Sequence, residues 1–208
     1  MRNQNFGIEI EMTGLTRAAA AQIIAGYFNT TATHVGGGYD TYTVRDDRNR
    51  QWKLMSDSSI RCQGRGTRAA GSQYAVEFVS PICQYADIET IQELVRKLRA
   101  GGAKVNDSCG IHVHVDASNH TPKTLRNIVN IMASKEDMLY KALQVDVERE
   151  HYCQKADTRF LDEMNQSARL PCRKWKKCGT TGGAADIFIM MTAAIMRSIF
   201  IACFQKER

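Results

Sequence analysis

The stretch GIEIEM at residues 7–12 alternates apolar and acidic side chains, and two later stretches repeat this alternation, QYAVEFVSP at 73–81 and CGIHVHVD at 109–116. Because side chains in a β-strand point alternately to two faces, each stretch predicts a strand with one apolar face and one polar face. The polar positions hold Glu9, Glu11, Glu77, His112, His114 and Asp116. If the three strands share a sheet, all six of these metal-competent side chains converge on one surface. That arrangement predicts a metal site.

The composition is that of a soluble globular protein. The chain has 208 residues, of which 43% are hydrophobic and 24% charged, enough for one domain with or without an appended tail. Its first residues, MRNQNFGIEIEM, hold no apolar run of the signal-peptide type. The seven cysteines are an odd number without a repeated short spacing, which favours reduced thiols over a disulfide framework. We therefore expect a cytoplasmic protein.

A basic segment surrounds Trp175, and the whole chain carries a net charge of +6. The basic residues are Arg169, Arg173, Lys174, Lys176 and Lys177. Such a segment is either a solvated surface near an anionic substrate or a nucleic-acid patch. The first interpretation is favoured, because no aromatic-rich RNA motif and no DNA-reading helix pattern accompanies the basic residues. Cys172 and Cys178, in the same segment, lack the spacing and partners of a zinc knuckle.

Several segments outside the three strands predict helices. One begins at Thr16 as its N-cap, and another begins at Thr121 with Pro122 in the first helical position. Residues 88–102 carry apolar side chains at helical spacing and end at two glycines. The helix capped by Thr16 lies within residues 15–28, and a further helical piece covers about 135–145.

Two further strand-like segments, YDTYTVRDD and QWKLMSDSS, flank a polar stretch and predict a hairpin. Strands and helices then follow one another as strand, helix, hairpin, strand, helix, strand and helices. This order predicts an α+β fold with a largely antiparallel, curved sheet. We expect helices on one face of the sheet and an open ligand face on the other.

The residue types on the polar face indicate which metal ions they could bind. Glu9 and Glu11 repel each other unless water or a cation relieves them, so a solvent-facing strand is the simpler interpretation of this pair alone. Glu77 alone is equally uninformative, whereas the alternating histidines of HVHVD are rarely needed for packing. The full set has too many ligands for one tetrahedral zinc, and its oxygen-rich character favours Mg²⁺ or Mn²⁺. Two or three such ions suit a substrate that carries phosphate.

Residues after the hairpin could complete this site. Asp57 is either a further carboxylate at the mouth of the site or an ordinary residue at the end of the hairpin. The next loop holds Arg61, Arg65 and Arg68, which are candidates for meeting a substrate carboxylate or phosphate. Because the chain has neither a Walker loop nor a Rossmann fingerprint, any nucleotide would be held through metals and basic side chains. No cysteine has a base and an orienting group nearby in sequence, so thiol catalysis is not expected.

Four motifs, taken in order, resemble those of a known family. They are FGIEIEM, W-K-L-x-x-D-x-S at 52–59, YAVEFVSP and NDSCGIHVHVD. The set is similar to that of the amidoligase family, distant relatives of glutamine synthetase and glutamate–cysteine ligase within the carboxylate–amine ligases. The resemblance covers roughly residues 5–178. It implies a catalytic domain of the glutamine synthetase type.

The resemblance also implies a reaction and its participants. The reaction is ATP- and Mg²⁺-dependent amide or peptide bond formation, in which a substrate carboxylate becomes an acyl phosphate that an amine attacks. The partners are then a small-molecule or peptide carboxylate and an amine, with no specific nucleic acid and no membrane. By position, the implied Mg²⁺ (or Mn²⁺) ligands are Glu9, Glu11, Glu77 and His112, and His114 is implied near the transferring phosphate. We assign His114 and Asp57 as candidate catalytic residues, and His114 and Arg61 as candidate ATP-binding residues.

The C-terminal part departs from the family pattern. Related ligases carry an R-Y-x-x-L-N-L segment and a later T-I-E-F-R strand whose glutamate binds metal, and neither is present here. Synonymous codons exist for which a frame shifted by one base from Phe188 encodes RYHALNL, so we expect an out-of-frame tail from about Ile189. The predicted domains are a truncated amidoligase-like catalytic domain at 1–178 and a divergent apolar tail at 179–208.

The apolar segment 187–204 has two interpretations. A membrane span fits its length, but Arg197 in its interior is costly at mid-bilayer depth. We therefore expect a poorly anchored apolar helix.

Three functions fit these observations to different degrees. We expect a ligase whose activity is impaired by the loss of the C-terminal Glu/Arg motif. The alternative is a non-catalytic metal- or nucleotide-binding module, a remnant of the ligase, which would bind Mg²⁺–ATP without turnover. A metal-dependent hydrolase that uses the HVHVD strand is less favoured, because the chain lacks a second His/Asp cluster.

Overall fold

The computed structural model describes residues 3–64, 70–116, 118, 121–143, 155–166 and 186–191. Within these ranges the strands are β1 Phe6–Met12, β2 Ala32–Gly36, β3 Thr41–Arg45, β4 Gln51–Met55, β5 Val76–Val79, β6 Ile111–Asp116 and β7 Asp186–Met191. The helices are α1 Arg17–Phe28, α2 Ile88–Ala100, α3 Pro122–Ala133, α4 Glu136–Leu143 and α5 Thr158–Gln166.

The described strands form one open sheet in the order β2-β3-β4-β5-β1-β6-β7. Every neighbouring pair in this sheet is antiparallel. The α+β class and the antiparallel sheet are therefore confirmed. The three strands predicted from the alternating stretches, β5, β1 and β6, lie side by side in this sheet.

The hydrophobic core lies between one face of the sheet and the helices α1 and α2. Ile10 pairs with Phe78 across β1 and β5, and Phe78 pairs with Leu54 across β5 and β4, so these side chains share one face. Trp52 stacks on Phe78 with ring centroids 5.6 Å apart. Leu94 and other apolar residues of α2 pack into the same cluster. Because the apolar side chains of each strand point into this core, the alternate side chains point to the opposite face of the sheet.

The helix ends follow the predicted caps. Thr16 accepts a hydrogen bond from the Ala19 N–H at 3.2 Å, and α1 ends at Asn29 in the left-handed conformation with φ 51°. Helix α2 ends before Gly102, whose φ of 108° is easily reached only by glycine. Thr121 caps α3 with Pro122 in its first turn. The predicted helices at 15–28, 88–102 and after Thr121 are thus confirmed to within a turn.

The predicted hairpin is formed by β3 and β4, and a buried aspartate organises its turn. Asp46 accepts hydrogen bonds from the backbone N–H groups of Arg48 and Arg50 and from Trp52 Nε1. The strand β2, which pairs with β3 at the edge of the sheet, was not predicted. Three of its five residues are exposed, so no alternation of apolar and polar residues in ATHVG indicated a strand.

The prediction of an apolar helix at 187–204 is wrong for its first residues. Residues Asp186–Met191 form β7, which pairs antiparallel with β6 from Asp116↔Asp186 to Ile111↔Met191. An edge strand exposes unpaired backbone N–H and C=O groups, and an added strand satisfies them. The remainder of this segment, the basic cluster at 169–177 and the pair Cys172 and Cys178 lie outside the described residues.

Two other expectations can be compared with the described part of the chain. None of its helices is both long and apolar enough to cross a bilayer. Of its cysteines, Cys62 and Cys83 are free thiols. The out-of-frame tail and the domain limits stay predictions.

Candidate metal centre

The sheet register brings the predicted metal-competent side chains together. Glu11 pairs with Glu77 across β1 and β5, and Glu9 pairs with His112 across β1 and β6. These positions have the parity opposite to Ile10 and Phe78, so all four lie on the face of the sheet away from the core. His114, which pairs with Gly7, lies one step along the same face.

Glu9 is held by both histidines of β6. Its Oε2 lies 2.8 Å from His112 Nδ1, and its Oε1 lies 3.1 Å from His114 Nε2. The hydrogen bond to His112 holds the pKa of Glu9 below its usual value, although partial burial opposes this shift. The same hydrogen bond raises the pKa of His112, helped by the negative charge of Glu11. Glu9 is therefore a carboxylate fixed in its charged form.

Glu11 is buried, with 4% of its surface exposed. Its Oε2 accepts a hydrogen bond from the Gly110 N–H at 2.6 Å, and its Oε1 lies 3.9 Å from His112 Nε2. Cys109–Gly110 immediately precedes β6, so the backbone that enters this strand also orients the carboxylate. The sequence signal for this contact was the Cys-Gly pair before the first histidine, although its role was not predicted.

Glu77 lies where the acidic groups are most crowded. Burial is the largest cause that raises its pKa, and the negative charges of Glu9, Asp57 and Glu11 add to it, so that the pKa of Glu77 reaches about 7. Burial and the neighbouring carboxylates thus both disfavour the charged form of Glu77. A divalent cation would remove this repulsion, and the donor set therefore fits a metal.

Among the residues that the structure describes, two groups of side chains are close enough to hold a cation, and they share Glu77. The first is Glu9, Glu77 and His112, and the second is Glu11, Asp57 and Glu77, with the ligand atoms of each group within 4.8 Å of one another. Five carboxylate or imidazole side chains of this kind suit Mg²⁺ or Mn²⁺, which prefer oxygen ligands and retain waters.

Asp57 belongs to the carboxylate cluster, which the sequence left open. It follows β4 by two residues, and its Oδ1 accepts a hydrogen bond from the Ser59 N–H at 2.7 Å. Because β4 pairs with β5, the end of the hairpin reaches the residues that surround Glu77. The structure places Asp57 beside Glu11 and Glu77, and its role at the site stays a prediction.

Arg61, the candidate ATP-binding residue, has a different immediate partner. It forms an ion pair with Asp107, and about 66% of its side chain is exposed. Its backbone N–H donates to Ser108 Oγ at 2.8 Å, which ties this loop to the segment before β6. The structure therefore anchors Arg61 beside the segment leading into β6 and does not bring it into either ligand group. Arg65 and Arg68 lie outside the described residues.

A groove of about 450 Å³ continues from Glu9 along the open face. Gly7 lies between its two sides, one formed by Val79 and Pro81 and the other by His114 and Asp116. Asp116 is oriented by its Oδ2, which accepts from Asn5 Nδ2 at 3.3 Å, and by its Oδ1, which accepts from the Ser118 N–H at 2.9 Å. The groove was not predicted, because its lining comes from segments distant in sequence.

An antiparallel α+β sheet whose open face gathers carboxylates and imidazoles around two potential cation positions defines a candidate metal-dependent catalytic domain. The chain belongs to the family described as "Putative amidoligase enzyme", whose sequence profile matches residues 2–181. Membership of this family indicates an enzyme of the ligase class. No curated protein and no solved structure matches the chain.

Proposed function

We propose that the protein is an ATP- and Mg²⁺-dependent carboxylate–amine ligase that works through an acyl phosphate. The observation that carries this proposal is the pair of ligand groups that share Glu77 on the open face of the sheet. Two adjacent cation positions suit a reaction in which a highly charged phosphoryl group is transferred. Family membership supports the formation of an amide bond as the outcome.

The proposed reaction has two steps. First, an oxygen of the substrate carboxylate attacks the γ-phosphorus of ATP, the bond to the bridging oxygen breaks, and ADP leaves. Second, the amine nitrogen attacks the acyl carbon, the bond between that carbon and the phosphate oxygen breaks, and inorganic phosphate leaves as the nitrogen loses a proton. Both steps depend on bringing negatively charged reactants together, so positioning and charge neutralisation account for most of the required catalysis.

The described residues divide these tasks. The side chains that would hold the ions are Glu9, Glu11, Asp57, Glu77 and His112. Bound Mg²⁺ supplies the positive charge that neutralises the phosphoryl oxygens. His114 is held by Glu9 and lines the groove, and we propose that it contacts the transferring phosphate. Asp57 as a catalytic residue and Arg61 as an ATP contact complete the proposed assignments.

Further parts of the proposal extend the family assignment. A catalytic domain similar to that of glutamine synthetase, located in the cytoplasm, would take a small-molecule or peptide carboxylate and an amine as substrates. The C-terminal Glu/Arg motif of related ligases is not present in this sequence. We therefore propose that turnover by this chain is slow.

The direct test traps the acyl phosphate. The protein is incubated with ATP, Mg²⁺, candidate amino acids or dicarboxylates, and hydroxylamine, which converts an acyl phosphate to a hydroxamate. We expect hydroxamate and phosphate to form together, and both to fall at least about 10-fold in Glu11→Gln because that variant loses a metal ligand. The matched control is Glu89→Gln, on the first turn of α2, which covers the opposite face of the sheet.

Two outcomes would contradict the ligase. Binding of Mg²⁺–ATP without any turnover identifies a non-catalytic nucleotide-binding module. Release of phosphate from ATP that neither depends on a carboxylate nor yields hydroxamate identifies a hydrolase.

A further inference from the structure

Lys53 lies on the open face of the sheet, in line with the candidate metal centre. It is the middle residue of β4 and pairs with Val79 of β5, which pairs in turn with Glu9 of β1. Its neighbours Trp52 and Leu54 are fully buried in the core, so the alternation along β4 places Lys53 on the opposite face. Lys53, Val79 and Glu9 therefore form one row across three adjacent strands.

This row places the lysine within reach of a ligand at the metal centre. Neighbouring strands are about 4.8 Å apart, so the Cα atoms of Lys53 and Glu9 are separated by about 10 Å. A lysine carries its ammonium on a flexible four-carbon stem that spans more than half of that distance. Val79, the residue between them, also lines the groove that continues from Glu9.

The surroundings of Lys53 differ from those of three arginines elsewhere in the structure. Arg17 pairs with Asp40, Arg50 pairs with Asp46, and Arg61 pairs with Asp107. Lys53 is half-buried, and within the described ranges no hydrogen bond or ion pair engages its ammonium group. On the described open face of β4, β5, β1 and β6, it is the one lysine or arginine among several carboxylates.

A half-buried ammonium that no described residue neutralises favours binding of an anion. The carboxylates nearby repel an anion on their own, but cations held by them would attract one to the space above Val79. Lys53 borders that space from the side opposite to His112. An anionic oxygen held there would thus meet the metals on one side and the ammonium on the other.

We propose that Lys53 binds an anionic oxygen of the ligand at the metal centre, either a phosphoryl oxygen or a substrate carboxylate oxygen. This inference rests on the proposed function for the presence of such a ligand. It adds a residue outside both ligand groups, and it assigns that residue to the substrate and not to the metal. Lys53 would position the ligand and screen its negative charge as it approaches the cluster.

The test compares Lys53→Met with Lys53→Arg and with Lys97→Met as the matched control. Lys97 is an exposed lysine of α2, on the opposite side of the sheet, where its ammonium lies 5.8 Å from the centre of the Tyr27 ring. Calorimetry measures binding of Mn²⁺ alone, and then of inorganic pyrophosphate and of glutarate to the Mn²⁺-loaded protein. Thermal unfolding shows whether each variant is folded.

We expect Lys53→Met to bind Mn²⁺ as the wild type does and to bind one of the two anions about 10- to 100-fold more weakly. Lys53→Arg should recover most of the affinity, and Lys97→Met should change neither. A loss confined to pyrophosphate identifies a phosphoryl contact, and a loss confined to glutarate identifies a carboxylate contact.

Unchanged binding of both anions by a folded Lys53→Met protein overturns the assignment and leaves the ligase proposal intact. Anion binding that depends on Lys53, in a protein that forms no hydroxamate from ATP, overturns the ligase and keeps the binding site. A wild-type protein that binds Mn²⁺ but neither anion overturns the role of Lys53 outright.

Discussion

His112 Nδ1 lies 2.8 Å from Glu9 Oε2, and the opposite ring nitrogen of His112 lies 3.9 Å from Glu11 Oε1. One imidazole on β6 therefore contacts both acidic side chains of β1. This contact orients the ring and favours the charged form of Glu9.

Replacing Glu9 should shift the titration of His112. The Glu9 hydrogen bond is the largest cause that raises the pKa of His112, and burial acts in the opposite direction. In Glu9→Gln, measured without divalent cations, we expect the midpoint of the His112 ring signal in NMR to fall toward or below its ordinary value of 6.5. Glu89→Gln should leave it unchanged. A midpoint that stays high in Glu9→Gln would show that another group raises the pKa.

Two ions should bind, and Glu77 should matter for both. Because Glu77 belongs to both ligand groups, we expect Glu77→Gln to weaken both Mn²⁺ binding events by at least about 10-fold. Glu9→Gln and Asp57→Asn should each weaken one event and spare the other. Calorimetry with Mn²⁺ measures the number of sites and both affinities. A single site that is insensitive to Asp57→Asn would contradict the second ligand group.

The stability of the metal-free protein should fall as the pH rises through neutrality. Glu77 has a pKa raised from 4.5 to about 7 in the folded protein, so its favourable contribution is complete below about pH 4.5 and is lost as the pH rises through about 7. We expect Glu77→Gln to be more stable than the wild type at pH 8 by about 1–2 kcal/mol, after allowing for partial solvent screening.

The comparison for this prediction is made at two pH values and with added metal. At pH 4.5, where Glu77 is mostly protonated, the wild type and Glu77→Gln should unfold at similar denaturant concentrations. With saturating Mg²⁺ at pH 8 the wild type should become the more stable protein, because only it retains the shared ligand. A variant less stable than the metal-free wild type at pH 8 would refute the proposed repulsion.

Arg17 should stabilise the fold through its hydrogen bonds to the segment that leads into β5. It is 4% exposed and donates to the carbonyl oxygens of Ser72 at 2.6 Å and Ala75 at 2.7 Å, as well as to Asp40. Arg17→Met leaves these buried acceptors without their donor, so we expect a loss of about 2–4 kcal/mol in the free energy of unfolding. Urea denaturation measures this loss.

The matched variant for Arg17 is Asp40→Asn. The Asp40 side chain is 44% exposed, so water can replace much of its interaction, and we expect a smaller loss than in Arg17→Met. Equal losses in the two variants would show that the ion pair, and not the pair of carbonyl contacts, supplies the stability.

Part of this site could be predicted from the sequence of each strand alone. Because side chains alternate along any strand, the sequence placed Glu9 and Glu11 opposite Ile10 on β1, and Glu77 opposite Phe78 on β5. Asp57 was ambiguous because it follows a strand whose partner was unknown. Once β4 pairs with β5, the end of the hairpin reaches the neighbourhood of Glu77, which brings Asp57 close to the other carboxylates.

Other features had no local signal. The groove beside Glu9 combines residues from three strands and their flanking segments, so no stretch of sequence describes it. The position of Lys53 depends on its register with Val79, and that register depends on packing of the core on the other face. The apolar segment Asp186–Met191 fits either a helix or a strand by its sequence. In the structure it is a strand, because it pairs with the edge of β6.

The sequence by itself determined which side chains share a face of each strand, where the first helices begin and end, and which family the motifs resemble. These properties follow from the period of the backbone and from capping contacts within a few residues. The tertiary structure decided which strands are neighbours, and therefore that Glu77 joins two ligand groups and that Gly110 holds Glu11. Strand pairing joins backbone groups far apart in the chain, and its choice depends on burying one shared core, which no local pattern specifies.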